Sequence, residues 1–360
     1  MEIKVKDKNF IAIKQIDTFY SLIWTERYNL CGDFELEMPA SVEFIDLLKE
    51  DYYLELVGDQ SSYMTMIIET IKMKTDVENG DTLIISGRSL ESILERRIVW
   101  NQTILNGNLQ NQIKKLLDDN IISPTDSLRR IPNFIFQAST DPSITSLTLK
   151  TQFTGDTLYD AISDICLSEG LGFKIVLSNE NNFVFSLYNG KDRSYTQSTN
   201  PYIVFSPSFN NLMNTNYLQS GKLVKTIALV LGEGEGAERK RATVNMKNGT
   251  ETGLSRRELY VDAKDISSTT EEGEEITDAD YLKQLEQRGK EKLSECEYEK
   301  IFDGEAETSI MFKYGTDFNM GDILQVSNEY GMETKVRVLE YVRSQSEDGF
   351  NVYPTFSSVD

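Results

Sequence analysis

The sequence predicts a mainly β fold with an α+β section in its middle, and three observations carry that expectation. Short segments rich in β-branched and aromatic residues fill the first hundred positions and return after residue 200. The dipeptides Asn79-Gly80, Asn189-Gly190 and Asn248-Gly249 each supply the two positive-φ residues that a tight type I′ hairpin turn needs. Between residues 101 and 200, apolar side chains recur instead at the spacing of helices.

In chain order, strands are expected at Phe10–Ile16, Tyr52–Val57, Tyr63–Thr75 and Thr82–Gly87, interrupted by short helices starting at Ser41 and at Ser89. Leu109, Ile113, Leu116 and Leu117 mark one helix of the middle section, and Leu158, Ala161, Ile162 and Ile165 a second. The second has Asp156 as its expected N-cap and Gly170 just past its end. Strands follow at Gly172–Leu177, Phe183–Leu187, Tyr202–Ser206, Ile227–Leu231, Arg241–Met246 and Leu259–Val261. The polar acidic stretch Ser267–Asp280 reads as a mobile loop. A helix bearing Leu282, Leu285, Leu293 and Cys296 comes next, then strands at Glu307–Lys313, Ile323–Asn328, Thr334–Arg343 and Gly349–Phe356. Many short strands with regular turns imply a barrel or a sandwich.

Composition narrows the function. The 37 basic and 58 acidic residues leave a net charge of −21, which repels nucleic-acid phosphates and anionic lipid. The chain has no histidine, so the usual general base, the usual zinc ligand and His-activated nucleophiles are all absent. Carboxylate-only, lysine-based and magnesium chemistry survive that filter. Three scattered cysteines without a CxxC fit a protein folded in a reducing cytoplasm. The N-terminus shows no signal-peptide pattern, and no apolar run reaches the ~20 residues of a membrane span.

Candidate chemical sites each meet a structural counter-reading. The run Gly232-Glu233-Gly234-Glu235-Gly236 follows an apolar strand, as a phosphate loop would, but its glutamates repel phosphate and no helix opens behind it. A tight turn is the expectation. Glu271, Glu272, Glu274 and Glu275 lack the alternate spacing of a calcium loop, and Asp76, Glu78 and Asp81 read as a charged hairpin tip. Cys166 and Cys296 fall on apolar helix faces. Arg239, Lys240 and Arg241 form the densest basic run, suited to salt bridges across a subunit interface. No cofactor or metal site is expected.

Several segments in order resemble the baseplate hub or tail-tip proteins of long-tailed phages. They are Trp24–Ala40, with its turn at Gly32, then Ser86–Val99, Ile203–Leu212, the glycine run, Arg256–Ile266, and Tyr314–Gly331, which contains Gly321 and Asp322. The resemblance implies two similar tube-type β-barrels plus a peripheral α+β domain. It places most of the first barrel in residues 1–100, the α+β domain in 101–200, and strands completing the first barrel and starting the second in 201–265. A flexible acidic loop at 266–280 then precedes a helix and the second barrel in 281–360. It further implies a homotrimer, a pseudo-sixfold ring that joins the tail tube to the tip and encloses a DNA channel without binding the DNA. Partners would be the distal tail protein, the tube or tape-measure protein and receptor-binding proteins, and the location the virion tail tip, after synthesis in the host cytoplasm. Gly32, Gly232, Gly234, Gly236, Arg239, Arg241, Gly321 and Asp322 are the expected turn or assembly positions. The competing expectations are a peptidoglycan hydrolase and a host cell-wall binding module.

Overall fold

The computed structural model describes residues 1–58, 64–77, 80–245, 251–270, 273–296, 299–306 and 311–359. Glu78, Asn79, Asn248-Gly249, Glu271, Glu272 and the start of the expected strand at Glu307 lie outside the described residues.

Mainly β architecture with several antiparallel sheets is what the chain adopts. Its largest sheet runs in the order Leu212–Ser220, Glu299–Ala306, Gly349–Ser358, Glu333–Ser346, Ser21–Arg27, Asp33–Pro39, Thr82–Ser89, Thr65–Lys74, Tyr53–Leu56, Ile3–Lys6 and Ala12–Ile16. Ile323–Ser327 pairs with Glu333–Ser346, and Val204–Phe205 pairs in parallel with Ile323–Ser327. Among the described residues the pairing does not close on itself. Side-chain alternation sets each register: in Asp33–Pro39, Phe34, Leu36 and Met38 face inward while Glu35 faces solvent.

The long strand Glu333–Ser346 holds the sheet together. Residues 333–337 pair with Ile323–Ser327, and residues 340–346 pair with Ser21–Arg27. An irregularity between Val338 and Glu340, on the edge shared with Gly349–Ser358, marks the change of partner. One core, around Trp24, Phe34, Leu36 and Ile85, lies under the early strands, and another, around Phe205, Phe302, Phe318 and Phe356, under the late ones.

A third core joins the helices Leu109–Leu117 and Leu158–Ser168 to the sheet Gly172–Leu177, Phe183–Tyr188 and Phe134–Gln137, whose last pair is parallel. A fourth packs the helix Asp278–Ser294 on the separate sheet Arg241–Asn245, Ile227–Leu231 and Glu258–Asp262.

Several local expectations need correction. The helix Leu158–Ser168 is capped by Thr157, whose Oγ1 accepts from the Asp160 amide at 3.0 Å. Asp156 sits one residue too early, because its carbonyl accepts from the Val99 amide. Asn189-Gly190 is no hairpin tip; that hairpin turns at Asn181, which has φ of 60°. The stretch read as a mobile loop is tied down where it is described: the Ser268 amide donates to Glu233, and Thr269 bridges to Glu275. A strand that was not expected runs over Glu299–Ala306, and of the one expected at Glu307–Lys313 the described residues 311–313 are not in a strand.

Candidate assembly site

Two charged residues stand on the inward phase of their strands and meet in the core. Glu26 follows Leu22 and Trp24 in alternation, and Arg343 follows Tyr341. Arg343 Nη1 donates to Glu26 Oε1 at 2.8 Å, and the Tyr314 hydroxyl donates to Glu26 Oε2 at 2.9 Å, all three groups being buried. The guanidinium also lies 4.8 Å from the centre of the Tyr341 ring, which stacks on Tyr314 at 4.1 Å. Burial first, and then the Glu26 charge, hold the Tyr314 hydroxyl well above its ordinary range. The pair joins the strand Ser21–Arg27 to the strand Glu333–Ser346.

A second node surrounds Tyr28, just beyond that strand. Its ring fills the space that side chains at Gly172 and Gly321 would need; a Cβ on Gly321 would come within 2.1 Å of it. Gly321 has φ of +84°, a conformation open to glycine. The Tyr28 hydroxyl donates to the Gly170 carbonyl at 3.0 Å, and burial pushes its pKa up to about 12. Arg337 lies over the ring and donates to the Gly321 carbonyl at 2.9 Å. Next door, the buried Asp322 carboxylate accepts from the Lys191 amide at 2.7 Å, Arg193 Nε at 2.7 Å and the Asn319 amide at 3.0 Å. Gly321 and Asp322 thus anchor the segment that leaves the α+β section.

The glycine run makes a tight turn, with φ of 107° at Gly234 and 53° at Gly236. Gly232 carries no side chain because the Tyr281 hydroxyl would lie 2.4 Å from its Cβ. Arg239 is 8% exposed, and it is spent inside the turn on the carbonyls of Gly232 and Leu231, on the Tyr260 hydroxyl and on Asp262. Lys240 pairs with Asp278, and Arg241 is exposed with no ion pair among the described residues. Gly32, far from this turn, approaches the Thr25 carbonyl so closely that a Cβ would fall 2.4 Å from it.

A polar seam joins the helix Asp278–Ser294 to the α+β section. Lys150–Asp280, Lys290–Glu169 and Lys292–Asp164 pair across it. Inside, Glu291 accepts from Gln287 at 3.1 Å and lies 3.7 Å from Arg288 Nε, close enough to attract but too far for a hydrogen bond. Burial raises the Glu291 pKa to about 7, against the pull of Arg288.

The outer strands Ala12–Ile16 and Leu212–Ser220 each keep one unpaired edge among the described residues. Met213 and Leu218 are exposed on the second. No cluster of described residues could hold a metal ion, and no described helix is long and apolar enough to cross a membrane. The thiols of Cys31 and Cys166 are buried and Cys296 is partly so, all three unpaired.

Sequence reasoning picked out Gly321 and Asp322 but missed Glu26, Tyr28, Arg337 and Arg343. For Glu26 and Arg343 a signal existed, since each is a charge on the apolar phase of a strand.

Residues 2–356 match the Siphovirus ReqiPepy6 Gp37-like protein family. Among solved structures, the tail protein from Neisseria meningitidis MC58 is 15% identical with a TM-score of 0.59, the match covering 99% of this chain and 96% of that one. The prophage MuSo2 43 kDa tail protein from Shewanella oneidensis is 15% identical with a TM-score of 0.60, over 100% and 98%. Prophage tail protein gp18 from Listeria monocytogenes EGD-e is 13% identical with a TM-score of 0.56, over 99% and 94%. At such identities the likeness is one of fold. No curated protein sequence matches the chain. The family match and the shared fold extend over almost the whole length, and the chain belongs to the Siphovirus ReqiPepy6 Gp37-like family of phage tail proteins.

Proposed function

We propose that the chain is a structural, non-enzymatic hub subunit of a tail tip, and that three copies close into a pseudo-sixfold ring. The observation that supports this reading is the large sheet: two β lobes with separate cores, fused through Glu333–Ser346, with an edge at each end that is unpaired among the described residues. Two lobes per chain and three chains give six similar units around an axis. Strand edges left open in one subunit are a liability that a neighbouring copy removes. On this reading the lobes are two tube-type domains, residues 101–200 form a peripheral domain, and part of the −21 charge lines a bore that DNA crosses without sticking. The partners are then the tail tube or tape-measure protein, the distal tail protein and the receptor-binding proteins.

The test is mass in solution, alone and with the distal tail protein: three times the 41.1 kDa of one chain is expected, with rings in electron micrographs. A closed dimer, or a monomer even with its neighbour present, overturns the ring. A lysis band on cell-wall zymograms overturns the non-enzymatic role.

A further inference from the structure

Two arginine pairs, Arg96-Arg97 and Arg129-Arg130, stand far apart in an acidic sequence, and the fold brings them together. Arg97 Nε donates to the Arg129 carbonyl at 2.8 Å, and Arg129 Nη2 to the Ile98 carbonyl at 2.8 Å and Asn120 Oδ1 at 3.0 Å. Among the described residues no carboxylate pairs with either guanidinium. Three carboxylates share the groove that these two arginines line: Glu95 pairs with Arg88 and Asp119 with Lys115, while Asp126 accepts from the Leu128 amide; Arg96 pairs with Asp51. Burial, and then the charges of Arg129 and Arg96, push Arg97 below its ordinary pKa, as expected of a cation lacking a counter-ion. The Arg129 guanidinium lies 5.2 Å from the centre of the Trp100 ring, yet that indole is 64% exposed. These groups line a groove of about 600 Å³ together with Asn101, Thr125 and Leu128.

We propose that this groove binds an anionic sugar. The unpaired guanidiniums meet its phosphate or carboxylate in charge-assisted hydrogen bonds. The open part of the indole packs on the apolar face of the sugar ring, and Asn101 and Thr125 answer its hydroxyls. The volume lies in the range of small-molecule sites.

The chain has two tryptophans, and Trp24 is fully buried, so ligand-dependent change in indole emission reports Trp100. Titration of the full chain with N-acetylglucosamine 1-phosphate and with galacturonic acid should give a saturable change and matching heat for at least one of them; which one names the anion. Uncharged N-acetylglucosamine and inorganic phosphate should bind about tenfold or more weakly than that ligand. The double variant Arg97→Gln/Arg129→Gln should lose about tenfold in affinity while the buried Trp24 emission, a sign of intact fold, is kept. Absence of saturation with both anionic sugars, equal binding of inorganic phosphate, or indifference to the double variant overturns the proposal. So does self-association abolished by Trp100→Ala, which would make the groove a protein interface.

Discussion

Arg343→Met removes one member of a buried charge pair and leaves Glu26 in the core without its cation. That should cost about 3–5 kcal/mol, read from denaturant midpoints. The double variant Glu26→Gln/Arg343→Met should recover a large part of the loss, because the uncompensated charge is then gone. If the double variant is no more stable than the single one, the pair is not what holds these strands. This is also where sequence reading stopped short. Gly321 and Asp322 were picked out only through the resemblance of Tyr314–Gly331 to phage tail-tip proteins. Tyr28 was not, since its role depends on Gly170, Gly172, Gly321 and Arg337, which only the folded chain brings to it.

Among the elements, the helix Asp278–Ser294 carries a pH response. Glu291 has an ordinary pKa of 4.5, and folding raises it to about 7. Between those values the folded chain keeps a proton that the unfolded chain has released, so this group's contribution to stability falls as pH rises from about 4.5 to 7. Above that it stays lost, at a cost of roughly 3 kcal/mol. Glu291→Gln should therefore stabilise the protein at pH 8 and flatten this part of the profile in thermal unfolding. Arg288 keeps Asp265 as a partner at 2.9 Å, so the substitution strands no cation. An unchanged slope in the variant would mean that Glu291 is not the titrating group. Helix positions were readable from apolar spacing, but caps were less so: Asp156 and Thr157 are both capping types, and a carbonyl bond to Val99 decides between them.

For the whole molecule, β-rich character and the helical middle followed from patterning, whereas the strand order did not. Apart from the inward charges Glu26 and Arg343, pairing between residues 21–27 and 340–346 is not written in either segment, because alternation tells which face is buried and not which neighbour lies alongside. The edge strand Leu212–Ser220 offers the matching test of assembly. Met213→Lys and Leu218→Lys sit on exposed positions, so each should change stability by no more than about 0.5 kcal/mol while reducing the ring fraction in sedimentation. Rings that persist unchanged in both variants would place the subunit contact elsewhere.

The bond between Glu26 and Arg343 spans 317 positions of sequence. During synthesis the strand Ser21–Arg27 leaves the ribosome long before the strand that will cover its flank exists. Contacts so distant in sequence slow folding and leave early strands exposed to wrong partners. The central sheet can be completed only once translation has passed Glu333–Ser346 and Gly349–Ser358, the two strands that link its early and late parts. Until then Ser21–Arg27 has a flank that only the end of the chain can cover.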